Sequence, residues 1–247
     1  MQRSRYILYF SFFLIFMIFH GIGAVSVNLP YVLNAVLTFS VVSVSLIMLD
    51  KWYSKISYLQ VLFNLGFHFV SFKKIFPGIL ISVFLLLLYP VFYFLFGFGI
   101  VLNDAWLLNL AGIFLTGGLA EEMFFRGFLF RHLRESMNFR KASLTSMILF
   151  AAVHLLMFIY KDWPVALLST ILAVVIAIPL SYLFERADNT VWSPAILHAS
   201  VRTIGLVVTG PENIFMQMTL YWITGSMIIP LVIVLLFKDF RKMWKTD

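Results

Sequence analysis

The stretch Gly117–Gly127, GGLAEEMFFRG, sets two adjacent carboxylates and a guanidinium inside a long apolar run, with WLLNLAGIFLT before it and FLF after it. The whole run reads as one helix. A charged side chain near the centre of a membrane helix costs roughly 2.5–3.5 kcal/mol on insertion scales, so such groups face one another or a polar interior. Helical geometry sorts the three. Glu122 and Arg126 are four apart, lie on one face and can pair. Glu121 sits about 100° around the helix from Glu122. One carboxylate can therefore be structural and the other free for chemistry. Gly117 and Gly118, one turn earlier, let a neighbouring helix approach closely.

The rest of the chain supports a membrane setting. Of its 247 residues 62% are hydrophobic and only 12% charged, with 28 Phe, against about 25% charged in an ordinary soluble domain. Several apolar runs exceed the ~18 residues that mark a candidate transmembrane helix. The reading is an all-α, polytopic membrane protein in one domain over residues 1–247. Eight apolar segments can be marked, at approximately 6–28, 31–50, 75–102, 106–130, 142–160, 164–184, 190–208 and 215–237. The first imitates a signal peptide behind Arg3 and Arg5, but its run is too long and no A-x-A site follows, so it is read as a retained span. Residues 56–72 are apolar yet carry Gln60, Asn64 and His68 between flanking lysines. They fit an interfacial or re-entrant helix.

Eight spans put both termini on one side. On that threading fifteen of the eighteen Lys and Arg fall on the side of the termini, Lys161 falls on the other, and Arg126 and Arg202 stay inside spans. The asymmetry predicts cytoplasmic termini. The net charge of +7 then reports topology and contact with the lipid bilayer, not a nucleic-acid surface. The chain has no cysteine, which excludes disulfides, thiolate metal sites and a cysteine nucleophile.

Further polar groups lie within spans: His154 in LFAAVHLLM, and His198 and Arg202 in SPAILHASVR. Counted at ~1.5 Å per residue, Glu121, His154 and His198 lie at similar depth, about 15–20 Å from the cytoplasmic ends. Three helices could thus deliver them to one site. His20, His68 and His132 are expected to be structural. Charges at mid-depth also mark ion pathways, but no repeat between the two halves supports a transporter.

The pattern EEMFFRG resembles the Glu-Glu-x-x-x-Arg motif of the CPBP family, the CAAX-protease and bacteriocin-processing membrane proteins also called Abi. Phe150 to His154, FAAVH, looks like its Phe-x-x-x-His motif. HASVR supplies His198 of the third motif but places Arg202 where the family has Asn or Asp. The likeness covers approximately residues 75–210, and the motif order on spans four, five and seven fits the family's eight-helix fold. It implies an intramembrane endopeptidase in a prokaryotic cell membrane, acting on a small peptide or membrane-protein tail. Glu121 and His154 would activate water, His198 would stabilise the oxyanion, and Glu122 and Arg126 would order the site. Arg202 would either assist the oxyanion or pair with Glu121 and silence it; Thr203 lies about 100° off the Asn position. No obligatory cofactor is expected; zinc on Glu121, His154 and His198 is the alternative. Motifs of other intramembrane protease classes, such as His-Glu-x-x-His or Gly-x-Gly-Asp, are missing from the sequence. The competing function is a catalytically inactive scaffold or immunity protein that binds a partner.

Overall fold

The computed structural model describes residues 10, 13–19, 21–22, 28–97, 100–159 and 162–245. Helix α1 spans Tyr31–Ser54 and the short α2 spans Tyr58–Asn64. Then follow α3 (Phe72–Phe96), α4 (Trp106–Arg134), α5 (Phe139–His154, continued as a 3-10 turn over Leu155–Ile159), α6 (Trp163–Arg186), α7 (Trp192–Val201), α8 (Glu212–Leu236) and α9 (Lys238–Lys245). Six helical segments among the described residues are long and apolar enough to cross a membrane: α1, α3, α4, Phe139–Ile159, α6 and α8. Large apolar side chains face outward along them, Phe94 at 81% and Ile159 at 80% exposure among others. Such an exterior suits lipid as its solvent.

Two expectations change. The segment expected at 190–208 is helical only over the ten residues of α7, about 15 Å by rise. Beyond Val201 the chain turns through Gly205, whose φ is +79°, and Val208–Thr209 (β2) pairs antiparallel with Val101–Leu102 (β1). Thr203 drives the turn: its hydroxyl donates to the Ser200 carbonyl at 2.8 Å, and its own carbonyl accepts from Val207 N at 2.8 Å. The segment 56–72 is helical only over α2, capped where Ser57 Oγ accepts from Gln60 N at 3.2 Å. The expected first span lies mostly outside the described residues, as do Arg3, Arg5, His20 and Lys161. Where it is described, Phe16 is buried against Phe124 and Phe125 of α4.

Glycines set the closest approaches. α7 is seated between α3 and α4: a Cβ on Gly78 would meet Ser193 O at 2.4 Å, and one on Gly118 would meet Ala195 O at 3.1 Å. A Cβ on Gly127 would lie 2.3 Å from Leu65 O, so the turn after α2 rests directly on α4. Within α3 the helix breaks at Leu87. Pro90, three residues on, has no N–H to give the Leu86 carbonyl.

Candidate active site

Helix α4 does not hold one geometry along its length. It is α-helical over Trp106–Ile113 and widens to i→i+5 hydrogen bonding over Phe114–Ala120 and again over Met123–Phe130. Glu121 and Glu122 sit between these two π-helical runs. Such wide turns are rare and are frequently found at functional sites. Nothing in the composition signals them.

Glu122 is fully buried and anchors two cationic or protonated partners. Arg126 Nη1 donates to its Oε1 at 3.1 Å, as the i,i+4 spacing predicts, and His198 Nδ1 donates to the same oxygen at 2.6 Å. The guanidinium is itself fully buried, gives a second bond to the Ala177 carbonyl at 3.3 Å, and lies over the Phe150 ring at 4.8 Å. Oε2 of Glu122 and Nε of Arg126 have no hydrogen-bond partner among the described residues. The lock therefore carries a desolvation cost that its charge pairing must offset.

Glu121 is not free. Arg202 Nη1 donates to its Oε1 at 2.7 Å, and His198 Nε2 stands 3.7 Å from its Oε2. Of the two placements expected for Arg202, pairing with Glu121 is the one seen, so the second carboxylate is engaged and not free. Arg202 caps the C-terminal end of α7, and its side chain keeps 36% exposure against 13% for Glu121. The two carboxylates now face two guanidiniums, so the four fixed charges sum to zero. That balance explains how α4 tolerates its charges: the missing cation arrives from another helix.

The space for Arg202 comes from Gly117. A Cβ there would fall 2.5 Å from Arg202 Cδ and 2.6 Å from its Nη1. The glycine pair thus divides its work, Gly118 admitting the α7 backbone and Gly117 admitting one side chain.

His154 closes α5. Its Nδ1 faces the Phe150 carbonyl at 2.7 Å; a carbonyl only accepts, so Nδ1 carries the proton and Nε2 keeps its lone pair. Glu121, His198 and Arg202 all lie close enough to act on it electrostatically. Phe150 is the hub that joins the motifs, meeting His154 edge-on at 4.7 Å, His198 at 6.1 Å and Phe125 at 4.5 Å. The structure therefore brings Glu121, Glu122, Arg126, Phe150, His154, His198 and Arg202 into one neighbourhood. His68 and His132 lie elsewhere, His132 bonded to the Phe128 carbonyl and His68 to the carbonyls of Phe63 and Asp188.

Two supports escaped the sequence reading. Trp222 of α8 donates from Nε1 to the Val201 carbonyl at 2.8 Å, and its ring stacks on Tyr89 at 4.1 Å. Tyr89 in turn shares a 2.8 Å hydrogen bond with Thr203. Together they clamp the end of α7 from which Arg202 projects. Aromatic residues in apolar helices are ordinary packing material, and no local pattern marks these two.

Zinc fits this arrangement poorly. Among the described residues no three His, Asp or Glu side chains stand close enough to share an ion. Arg202, a fixed cation, also stands 2.7 Å from Glu121 Oε1, where it would repel an ion held by that carboxylate.

Comparison with curated proteins and with solved structures gives no match. Residues 103–204, the part of the chain that carries all three motifs, match the model of the type II CAAX prenyl endopeptidase Rce1-like family, the CAAX-protease family that those motifs resemble.

Proposed function

We propose that this chain is an intramembrane endopeptidase that hydrolyses a peptide bond in a small peptide or the tail of a membrane protein. The observation that carries the reading is the junction of Glu121, His198 and Arg202, with Arg202 at 2.7 Å and His198 at 3.7 Å from the Glu121 carboxylate. In this scheme Glu121, aided by the free Nε2 of His154, takes a proton from water as the water oxygen adds to the scissile carbonyl. His198 and Arg202 donate to the oxyanion that forms. The proton held by Glu121 then passes to the leaving amine, the C–N bond breaks, and the carboxylate is restored. Glu122 and Arg126 hold His198 in the orientation the step needs, and the ring must carry a proton on both nitrogens, one given to Glu122 and the other to the oxyanion. The scheme uses no cofactor and routes no step through a metal.

The setting proposed is the plasma membrane of a prokaryote, with both termini cytoplasmic and eight crossings, the seventh made by the short α7 together with the turn that leads on to β2. The basic residues near the ends of the long helices support it. Because the chain has no cysteine, single cysteines introduced at residues 2, 161 and 246 can be labelled from either side without background. Labelling of 2 and 246 from outside would overturn the orientation. Peptide maturation, bacteriocin or pheromone processing, and self-immunity are the roles such an enzyme would serve.

A second reading rests on the same Arg202–Glu121 bond. A carboxylate pinned by a permanent cation is a poor base, which favours an inactive scaffold that binds a partner. Comparison of cell and secreted peptides from strains with wild type, Glu121→Gln and Arg202→Asn separates the two. The endopeptidase reading expects a peptide that is present with wild type and lost with Glu121→Gln at equal membrane levels. Identical peptide profiles under several growth conditions would favour the scaffold.

A further inference from the structure

Away from the site, the C-terminal helix α9 packs on α8 and α5. Its buried residue is Phe240, and the Phe240 and Trp244 rings stack at 5.6 Å. Its one acid, Asp239, is taken up by Tyr182, whose hydroxyl donates to Oδ1 at 2.9 Å, and by an ion pair with Arg186. Asp239 is thus engaged by two residues of α6.

Beside α9 lies a cavity of about 240 Å³. Ile178, Leu231, Leu235 and Phe240 supply its apolar lining, Trp244 adds an indole, and its charged lining residues are Arg241 and Lys245. Both cations are exposed and stand four apart on one face, and among the described residues that line the cavity there is no Asp or Glu. Arg140 of α5 brings a third cation, its guanidinium 5.9 Å from the Trp244 ring centre. Enclosed sites for small molecules are usually larger, about 300–1,000 Å³. A notch of this size between helix ends suits a ligand that leaves most of its bulk in the surrounding lipid.

We propose that this notch binds an anionic phospholipid, with the headgroup phosphate at Arg241 and Lys245 and the upper part of one acyl chain along Ile178, Leu231 and Leu235. The chemistry is specific in two ways. Paired cations on a wall whose described lining holds no acid select a net negative headgroup over a zwitterionic one. The apolar wall and the indole, a group enriched at membrane interfaces, would be idle in a site for a free anion. The inference stands apart from the endopeptidase reading, since it uses none of the residues assigned to that site.

The test is native mass spectrometry of the full chain, purified in detergent and offered phosphatidylglycerol or phosphatidylcholine of matched chains. Wild type should retain one phosphatidylglycerol with a preference of roughly tenfold or more. Arg241→Gln with Lys245→Gln should bring retention down to the phosphatidylcholine level. Lys238→Gln with Lys242→Gln, which removes the same charge from residues outside the cavity, should keep it. Equal loss in both double variants would overturn the proposal in favour of a diffuse basic surface. No headgroup preference in wild type would overturn it outright, as would displacement of the lipid by millimolar inorganic phosphate. The last two measurements need no variant, so a folding defect in one cannot shelter the idea.

Discussion

Arg202 reaches Glu121 through space that residue 117 leaves open: its Nη1 donates to Oε1 at 2.7 Å, and a Cβ on Gly117 would stand 2.6 Å from that same nitrogen. The residue that departs from the family motif is thus matched by a glycine on the facing helix. The pair behaves as one feature, and Gly117→Ala should act on catalysis as Arg202→Ala does. Side-by-side cleavage of a common substrate checks this. Opposite effects of the two variants would separate the glycine from the arginine. Because the group displaced is a flexible side chain with 36% exposure, Gly117→Ala should cost little stability beyond the weakened pair.

Glu122→Gln should be the most damaging neutral exchange in the site. It leaves Arg126 buried without a counter-charge and weakens the acceptor of His198, a class of change that costs about 3–5 kcal/mol. Thermal unfolding in detergent reads this directly. Adding Arg126→Gln should recover part of the loss, because the orphaned charge is gone. The exposed Lys74–Asp188 pair, at 44% and 56% side-chain exposure, offers the contrast: Lys74→Gln should cost under about 1 kcal/mol.

These two predictions mark what was legible beforehand. The Glu122–Arg126 pair follows from spacing alone, because a four-residue offset keeps two side chains together even where the turn widens. The convergence of Glu121, His154 and His198 followed from counting depth along three apolar runs. What could not be read was which oxygen each partner takes. His198 satisfies Nδ1 on Glu122 and leaves Nε2 toward Glu121, a choice set by the roll of α7 in its seat between Gly78 and Gly118. The length of α7 was hidden for a different reason. Residues 190–208 are apolar enough for a span, and the stop comes from hydrogen bonds around Thr203 and the left-handed Gly205, which composition does not weigh.

Trp222→Phe keeps the stack on Tyr89 and removes only the donor to the Val201 carbonyl. The direct cost should be about 1 kcal/mol, the worth of one hydrogen bond. Its larger effect should fall on turnover, since the end of α7 carries Arg202. Tyr89→Phe, which cuts the tie to Thr203, should push turnover in the same direction. Unchanged turnover in both would show that the end of α7 needs no clamp.

Phe150→Leu tests whether the aromatic ring or mere bulk matters in the second motif. Leucine fills much of the space but gives no π-face to Arg126 and no edge contacts to the imidazoles of His154 and His198. A guanidinium over a ring in a dry site is worth about 2 kcal/mol. The expected result is a loss of turnover with a loss of unfolding stability near that size, measured on the same preparation. Full activity in Phe150→Leu would reduce the phenylalanine to a spacer.

The widened turns of α4 make this site a matter of counting as well as chemistry. A helix that bonds i→i+5 on both sides of a carboxylate pair is carrying more residues than its neighbours' spacing would require. Removing one of them forces a choice: the wide turn closes to i→i+4 and the residues within it change face, or it stays wide and everything beyond it turns by about 100°. Every letter of the motif would survive, yet a different pair of side chains would look toward α7. The stretch from Phe114 to Phe130 should therefore tolerate conservative exchanges far better than any change in length, and a shortened copy of it would be a different protein at the one place that matters.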